Sequence, residues 1–319
     1  MPTQQDAVAA AAWLAGRVVR TPVVTSAELD ALAGRRLWLK AENLQRGGSY
    51  KFRGAMRSVG RLAAQGVAGV IAQSTGNHAV AIALAAREHG LAATVVLPVD
   101  APRTKIDLAE AYGARIVLAG RTVEERLAAV RGLCRETGHV AVDAYDHPDV
   151  ICGQASATLE LLDEVARQGD RLSTVVVPVG GGGGVAGACL AAQGKDLAVF
   201  GVEPVGCDSL ARSLEQGRPV SVVPAPTLAD GLRPARVGDL PFEIVRKEIA
   251  GVLRVTDPEI EHALRLALWH TKLLVEPSAA AALAGALRLA ADRPGDVGVI
   301  LTGGNVDPAV VSSVLREAA

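Results

Sequence analysis

One stretch decides the fold: Thr174-Val175-Val176-Val177-Pro178-Val179-Gly180-Gly181-Gly182-Gly183-Gly184-Val185-Ala186-Gly187-Ala188. Its first part is an apolar run typical of a buried strand, and its last part is a run of small residues that predicts a helix. We call the five glycines between them, residues 180–184, the glycine run. Glycine amides can turn inward at positive φ with no Cβ in the way, and the helix that follows adds the positive end of its dipole. The stretch therefore predicts a cradle for a phosphate or another small anion, rather than a flexible linker.

The composition is that of an ordinary globular protein with a large core. The chain has 319 residues, of which 50% are hydrophobic and 21% are charged. A formal net charge of −1, with no run rich in Lys and Arg, argues against a nucleic-acid partner. The apolar segment from Ala7 to Leu14 is short and leads into Arg17, which favours an amphipathic helix over a signal peptide or a membrane span. We therefore expect a cytoplasmic protein whose four cysteines are buried apolar residues.

Short apolar runs alternate with helical patterns along the chain. The predicted strands are residues 37–40, 69–73, 93–97, 115–118, 140–142, 175–179, 198–202, 252–255 and 297–301. The predicted helices between them include residues 79–89, 122–137, 155–168 and 260–274. Strands that alternate with helices of this length form open parallel sheets with both faces covered. The expected fold is α/β, with ligands at the carboxyl ends of the strands.

A polar turn, Ser74-Thr75-Gly76-Asn77-His78, follows the predicted strand 69–73 and precedes a helical pattern. Free amides and hydroxyls at a helix start suit a carboxylate. Simple N-capping by Ser74 or Thr75 explains the same pattern equally well.

A second polar turn, Thr302-Gly303-Gly304-Asn305, follows the predicted strand 297–301. It puts a hydroxyl and a side-chain amide beside the strand end, as an ordinary β-turn would also do. With the glycine run, the two turns suit a ligand that carries a phosphate, a carboxylate and an aromatic nitrogen.

A lysine near the N-terminus is the candidate reactive group, in Gly47-Gly48-Ser49-Tyr50-Lys51-Phe52-Arg53-Gly54-Ala55. Two aromatic residues flank Lys51 in a chain whose aromatic content is only 3%. Apolar bulk lowers the pKa of an amine by desolvating its charged form, as a Schiff-base lysine requires. For this segment alone, a surface lysine at a helix start is the plainer interpretation.

The segment from Ser49 to Ala55 resembles the Ser-Phe-Lys-x-Arg-Gly-Ala signature of the serine/threonine dehydratase family of fold-type-II pyridoxal-phosphate enzymes. The Ser-x-Gly-Asn-His, glycine-run and Thr-Gly-Gly-Asn motifs follow in the family's order over nearly the whole chain. The resemblance implies a tryptophan-synthase-β-like α/β fold with two open parallel-sheet domains. Residues 1–67 and 146–319 would form a large cofactor-binding domain, and residues 68–145 a small mobile domain that closes over the site. A C-terminal regulatory domain is not expected.

The resemblance also implies the roles of residues around the cofactor, pyridoxal 5'-phosphate. Lys51 would hold it through an imine bond, and Tyr50 and Gly231 would lie against opposite faces of its ring. Asn77 would bond its phenolic oxygen. Thr302 would lie near its pyridine nitrogen, where a neutral hydroxyl makes the cofactor a weaker electron sink and suits elimination. The phosphate would be cradled by Gly180, Gly181, Gly182 and Gly183.

The implied activity is that of a lyase, which converts a β-hydroxy amino acid such as L-threonine or L-serine to a 2-oxo acid and ammonia. Lys51, once displaced by the substrate, would remove the α-proton as a general base. The substrate carboxylate would dock on Ser74, Thr75, Asn77 and His78. Three alternatives stay open: an amino-acid racemase in which the Thr75 hydroxyl works the opposite face, a 3-hydroxyaspartate dehydratase, and a non-catalytic protein that keeps the fold. A homodimer is the family expectation.

The segment Glu203-Pro204-Val205-Gly206-Cys207-Asp208-Ser209 resembles the divalent-metal segment of serine racemase. Glu203 and the Cys207 carbonyl would match, whereas Ser209 stands where a second carboxylate is expected. Binding of Mg²⁺ or of a monovalent cation is therefore an open expectation. Glu276 matches a family acid near the active site, although a charge at a helix N-terminus explains it equally well.

Two residues depart from the family pattern next to the expected cofactor. Tyr50 replaces the usual Phe, a mild change that still allows stacking and adds a phenol that needs a partner. Gly184 stands where relatives often have a larger apolar residue, so it is the glycine of the run with the weakest claim to a phosphate contact.

Overall fold

The protein is described here from a computed structural model, which covers residues 1–74, 76–101, 103–289 and 295–316, excepting the side chains of residues 104, 105 and 108. The strands of these ranges are β1 (Val23–Val24), β2 (Leu37–Ala41), β3 (Gly69–Gln73), β4 (Ala92–Leu97), β5 (Arg115–Leu118), β6 (Val140–Ala141), β7 (Leu172–Pro178), β8 (Ala198–Pro204), β9 (Gly251–Val255) and β10 (Asp296–Leu301).

The helices are α1 (Gln4–Leu14), α2 (Ala27–Ala33), α3 (Lys51–Ala64), α4 (Asn77–Glu88), α5 (Arg103–Ala111), α6 (Val123–Thr137), α7 (Pro148–Arg167), α8 (Gly183–Ala192), α9 (Ser209–Gln216), α10 (Asp239–Glu248), α11 (Asp257–Thr271), α12 (Pro277–Arg288) and α13 (Pro308–Arg316). Within the ranges described above, no helix is both long and apolar enough to cross a membrane.

The strands form two separate sheets. One has six strands in the order β1-β2-β10-β7-β8-β9, and the other has four in the order β5-β4-β3-β6. Every pairing is parallel except that of β1 with β2. The expectation of an α/β fold with two open parallel sheets is therefore confirmed. The four-stranded sheet draws only on residues between 69 and 141, inside the segment predicted as the small domain.

All nine predicted strands are present, with ends that differ by at most three residues. The prediction missed β1, since two residues carry no alternation. It also started the helix at residue 155 when α7 begins at Pro148, because His147 caps that end by accepting a hydrogen bond from the Asp149 amide. Proline suits the first helical position, because the amide hydrogen that it lacks would have no partner within the helix.

The core strand β7 is buried along nearly its whole length, as its apolar sequence predicts. Three cysteines are buried as expected, Cys152, Cys189 and Cys207, and Cys134 is half-buried. The glycine run follows directly at the carboxyl end of this strand.

The carboxyl end of β10, beside β7, meets the turn that precedes α3. The Tyr50 amide donates to the Thr302 carbonyl at 2.9 Å, the Gly304 amide donates to the Gly48 carbonyl at 2.9 Å, and Ser49 pairs with Gly303 as an isolated antiparallel bridge. This contact brings the Lys51 turn and the Thr-Gly-Gly-Asn turn together.

Candidate active site

The Lys51 amine lies among three segments that are distant in sequence. Its Nζ donates to the Ala144 carbonyl at 3.0 Å, just beyond β6, and lies 5.4 Å from the centroid of the Tyr50 ring. Burial lowers the pKa of this amine to about 8, against the opposing influence of Asp143 and Glu276, which favour the charged form. An amine ordinarily titrates near pH 10.4, so a much larger fraction of Lys51 is free base near neutral pH. The plainer interpretation as a surface lysine is wrong, because the side chain is half-buried and desolvated.

The glycines of the run are required mainly because neighbouring residues pack too closely for side chains there. Within the run only Gly182 has a positive φ, of 93°, so a positive φ accounts for one of the five glycines and not for the others. A Cβ on Gly181 would lie 2.2 Å from the Tyr145 ring, and one on Gly180 would lie 2.8 Å from the Gly231 carbonyl oxygen. A side chain at either position would therefore displace its neighbours, and glycine is required for a reason of space.

The geometry of the run still suits an anion. Helix α8 begins at Gly183, and its N-cap, Gly182, provides no side chain to bond the first amides. The first amides of a helix have no partner within it, and they carry the positive end of the helix dipole. A cradle of glycine amides at a helix start, close to a desolvated amine, fits a phosphorylated carbonyl compound.

Asn77 is oriented by side chains on both sides. Its Nδ2 donates to the two Glu276 carboxylate oxygens at 2.9 and 3.0 Å, and its Oδ1 accepts from Asn305 Nδ2 at 2.9 Å. Asn305 also donates to the Gly47 carbonyl at 2.8 Å. An amide nitrogen carries two hydrogens that point in different directions, so one carboxylate leaves the other hydrogen for a further acceptor. Asn77 can therefore bind an oxygen of a ligand while its plane is held fixed.

The His78 side chain makes a structural contact. The ring is buried, and its Nε2 hydrogen-bonds to the Val142 carbonyl at 3.0 Å. Burial, together with the nearby Lys51 charge, lowers the pKa of His78 to about 4. A neutral ring that is already bonded to a carbonyl offers no positive charge to a substrate carboxylate.

The remaining predicted site residues lie as follows. Ser74 Oγ accepts from the Gly76 amide at 3.1 Å, which is the local capping pattern. Thr302 is buried beside Tyr50, and Gly231 lies beside Gly180, with its amide donating to Ser278 Oγ at 3.0 Å. Thr75, predicted to act in catalysis and in carboxylate binding, lies outside the described residues.

The segment that follows β6 lies beside Lys51, although none of its residues was among the predicted site residues. Asp143 accepts from the amides of Tyr145 and Asp146 at 2.8 and 2.7 Å, which shapes a turn beside Lys51. The Tyr145 ring covers the glycine run. A signal for it was present, because Asp143-Ala144-Tyr145-Asp146 is a further polar turn at the end of a predicted strand.

One of the two predicted metal ligands, the Glu203 carboxylate, has other partners. Glu203 accepts from the amides of Leu210 and Ala211 at 2.8 and 2.9 Å, so it caps the start of α9, and burial raises its pKa to about 7. The other predicted ligand is the main-chain carbonyl of Cys207, whose thiol donates to the Ala225 carbonyl at 3.4 Å. Among the residues that the structure describes, no cluster of three or more His, Cys, Asp or Glu side chains is arranged to hold a metal ion.

A buried charge cluster anchors the helix that begins at Lys51. Arg53 is fully buried and binds both Glu42 and Glu160 through pairs of hydrogen bonds of 2.7 to 2.8 Å. Lys40 donates to the same Glu160 at 2.7 Å. The cluster ties the first turn of α3 to β2 and α7, so it fixes the position of the helix start that carries Lys51.

Comparison with known proteins identifies the family of the chain. The model of the family described as "Pyridoxal-phosphate dependent enzyme" matches residues 14–303. The chain is 40% identical to an L-threo-3-hydroxyaspartate ammonia-lyase from a Pseudomonas species, over 99% of both chains. It is 36% identical to a serine racemase from Dictyostelium discoideum, over 93% of both.

Solved structures of related proteins share the fold of this chain. The crystal structure of the threonine deaminase from T.th. superposes with a TM-score of 0.91 at 42% identity, covering 96% of this chain and 99% of that one. The chain belongs to the family of pyridoxal-phosphate-dependent enzymes, in the fold-type-II group that includes serine racemase and threonine deaminase.

Proposed function

We propose that the protein is an ammonia-lyase that uses pyridoxal 5'-phosphate to convert a β-hydroxy amino acid to a 2-oxo acid and ammonia. One observation carries the proposal: a desolvated amine, Lys51, whose pKa is lowered to about 8, lies next to Tyr50, whose hydroxyl reaches the glycine run. L-threonine and L-serine are the first candidates as substrate.

The cofactor would be held by groups whose positions support this assignment. Lys51 would bond its carbonyl carbon, and Gly180, Gly181, Gly182 and Gly183 would take its phosphate. Asn77, held by Glu276 and Asn305, would donate to its phenolic oxygen. Tyr50 and Gly231 would lie against its two faces, with Thr302 near its ring nitrogen. When bound, the cofactor withdraws electrons from the α-carbon of an amino acid.

The chain's own residues would then move the proton. A Lys51 amine with a pKa near 8 is a suitable general base at neutral pH, because it is partly unprotonated yet still a good proton acceptor. Thr302 is neutral at any ordinary pH, so it cannot hold a proton on the ring nitrogen as a carboxylate would. Both properties favour elimination over reactions that require a long-lived carbanion.

The test of this proposal includes two further candidate substrates and one alternative reaction. Relatives named L-threo-3-hydroxyaspartate ammonia-lyase match over nearly the whole chain, so 3-hydroxyaspartate joins threonine and serine. Phenylserine completes the panel as a bulky β-hydroxy amino acid. Serine racemases match at 33 to 37% identity, so inversion of serine is the alternative reaction.

The experiment incubates the holoenzyme with each of the four amino acids and measures the 2-oxo acid released and the enantiomer that remains. We expect 2-oxo acid from at least one substrate, no release by Lys51→Ala, and unchanged release by Lys247→Ala, which alters an exposed lysine. A holoenzyme that releases 2-oxo acid from none of them contradicts the proposal, and inversion that exceeds elimination makes the protein a racemase.

The other expectations remain predictions. They are a cytoplasmic homodimer, closure of residues 68–145 over the site, and binding of Mg²⁺ or a monovalent cation at Glu203 and Cys207. The cation is the one that the geometry supports least, because both Glu203 oxygens already accept amide hydrogen bonds.

A further inference from the structure

The Tyr50 hydroxyl uses space that a side chain at position 184 would need. A Cβ on Gly184 would lie 2.8 Å from the Tyr50 hydroxyl oxygen and 3.0 Å from Cε2 of the same ring. Carbon atoms outside covalent contact pack at about 3.5 to 4.0 Å. The phenol therefore fits in its observed position only because residue 184 has no side chain.

This contact places the hydroxyl at the first turn of α8. Gly184 is the second residue of that helix, next to amides that no side chain caps. The Tyr50 ring also has the Lys51 amine 5.4 Å from its centroid. One aromatic side chain thus extends from the reactive amine to the wall of the anion cradle.

The phenol keeps its proton under all ordinary conditions. Burial, with the nearby Glu276 carboxylate, holds the pKa of Tyr50 well above its usual value. A protonated phenol can donate a hydrogen bond, and at a helix start it adds a donor to a set of amides that already attracts anions.

We propose that the Tyr50 hydroxyl donates a hydrogen bond to the phosphate held by the glycine run, and that glycine at position 184 makes room for it. The inference rests on the proposed function, because the anion is the phosphate of pyridoxal phosphate. Tyr50 is then a cofactor-positioning residue as well as a stacking one.

The first experiment titrates cofactor-free protein with pyridoxal phosphate and compares wild type with Tyr50→Phe. A hydrogen bond to a charged group makes the expected loss of affinity about tenfold or more. The phosphorus NMR signal of bound cofactor should also move in Tyr50→Phe. Tyr112→Phe is the matched control, because Tyr112 loses the same hydroxyl at a site where its ring packs under Arg87.

Inorganic phosphate separates the hydrogen bond from ring stacking. Tyr50→Phe should bind phosphate more weakly than wild type by a similar factor. A loss of affinity for pyridoxal phosphate with unchanged affinity for inorganic phosphate would overturn the inference, since it would place the effect on the ring.

The second experiment adds Gly184→Ala in both backgrounds. In wild type, the new methyl group displaces the phenol, so cofactor affinity should fall. In Tyr50→Phe the same change should cost less, because the contact at 2.8 Å is gone and the contact with the ring carbon at 3.0 Å remains. Equal costs in the two backgrounds contradict the pairing.

The two proposals fail in different ways. Wild-type protein that binds no pyridoxal phosphate refutes the proposed function. Wild-type protein that binds it as tightly as Tyr50→Phe, with the same phosphorus signal, refutes this inference alone.

Discussion

The environment of Lys51 illustrates how burial sets the reactivity of an amine. Two carboxylates, Asp143 and Glu276, favour its charged form, yet desolvation is the larger influence and lowers the pKa to about 8. The same burial lowers the pKa of His78, which lies near that charge. Both residues therefore make the folded protein sensitive to pH over ranges that follow from their shifted pKa values.

His78 should make the folded state sensitive to acid. Its pKa is about 4 in the folded protein and about 6.5 in an unfolded chain, so the unfolded chain binds more protons between these values. Stability is therefore lost as the pH falls from about 6.5 to about 4, by on the order of 3 kcal/mol. Urea unfolding of wild type and His78→Gln at several pH values in this range checks the prediction.

The comparison uses the difference between the two proteins at each pH. Glu203, with a pKa raised to about 7, acts in the opposite sense, since its stabilising effect is lost as the pH rises from about 4.5 to 7. It is present in both proteins, so it cancels. The free energy of unfolding of wild type, taken relative to that of His78→Gln, should decrease on acidification. A difference that stays constant with pH is the contrary result.

At the residue level, the sequence predicted the groups that belong to contiguous motifs. Lys51, Asn77 and Thr302 all lie at strand ends or helix starts, as their turns indicated. Tyr145 was missed, because its role comes from covering Gly181 across the fold and not from its local sequence. Contacts between distant segments of this kind carry little signal in a single sequence.

At the level of elements, helix α3 explains why its signature contains an arginine and a glycine. Arg53 is the centre of the buried charge cluster. A Cβ on Gly54 would lie 2.9 Å from the Val150 carbonyl oxygen, and one on Gly153 would lie 2.6 Å from the Arg53 carbonyl oxygen. These contacts let α3 cross α7 closely, so the signature serves the crossing as well as the lysine.

Removing the Arg53 charge should destabilise the protein strongly. In Arg53→Met, the carboxylates of the buried Glu42 and the half-buried Glu160 are opposed by Lys40 alone, and breaking a buried ion pair in this way costs about 3–5 kcal/mol. Arg167→Met is the control, because Arg167 pairs with Asp163 on the surface, where about 1 kcal/mol or less is at stake. Urea unfolding at neutral pH measures both, and losses of similar size would contradict the assigned role of the cluster.

At the level of the whole molecule, the alternation of apolar runs and helical patterns predicted open parallel sheets and all but one strand, and the family resemblance predicted that the sheets are two. It could not predict the strand order, because pairing of β2 with β10 joins residues far apart in sequence. The same pairing brings the Lys51 turn to the Thr-Gly-Gly-Asn turn, so the site depends on a contact that the sequence did not specify. Position in the fold, more than motif alone, makes these residues a site.

The central claim is that Lys51 is the residue that binds pyridoxal phosphate covalently. The most direct test incubates the protein with pyridoxal phosphate, reduces the imine with borohydride and maps the modified peptide by mass spectrometry. The chain has six lysines, so the result discriminates among sites. We predict that the adduct lies on Lys51 in wild type and in Lys247→Ala, and that Lys51→Ala carries none. An adduct on another lysine, or none in wild type, contradicts the account.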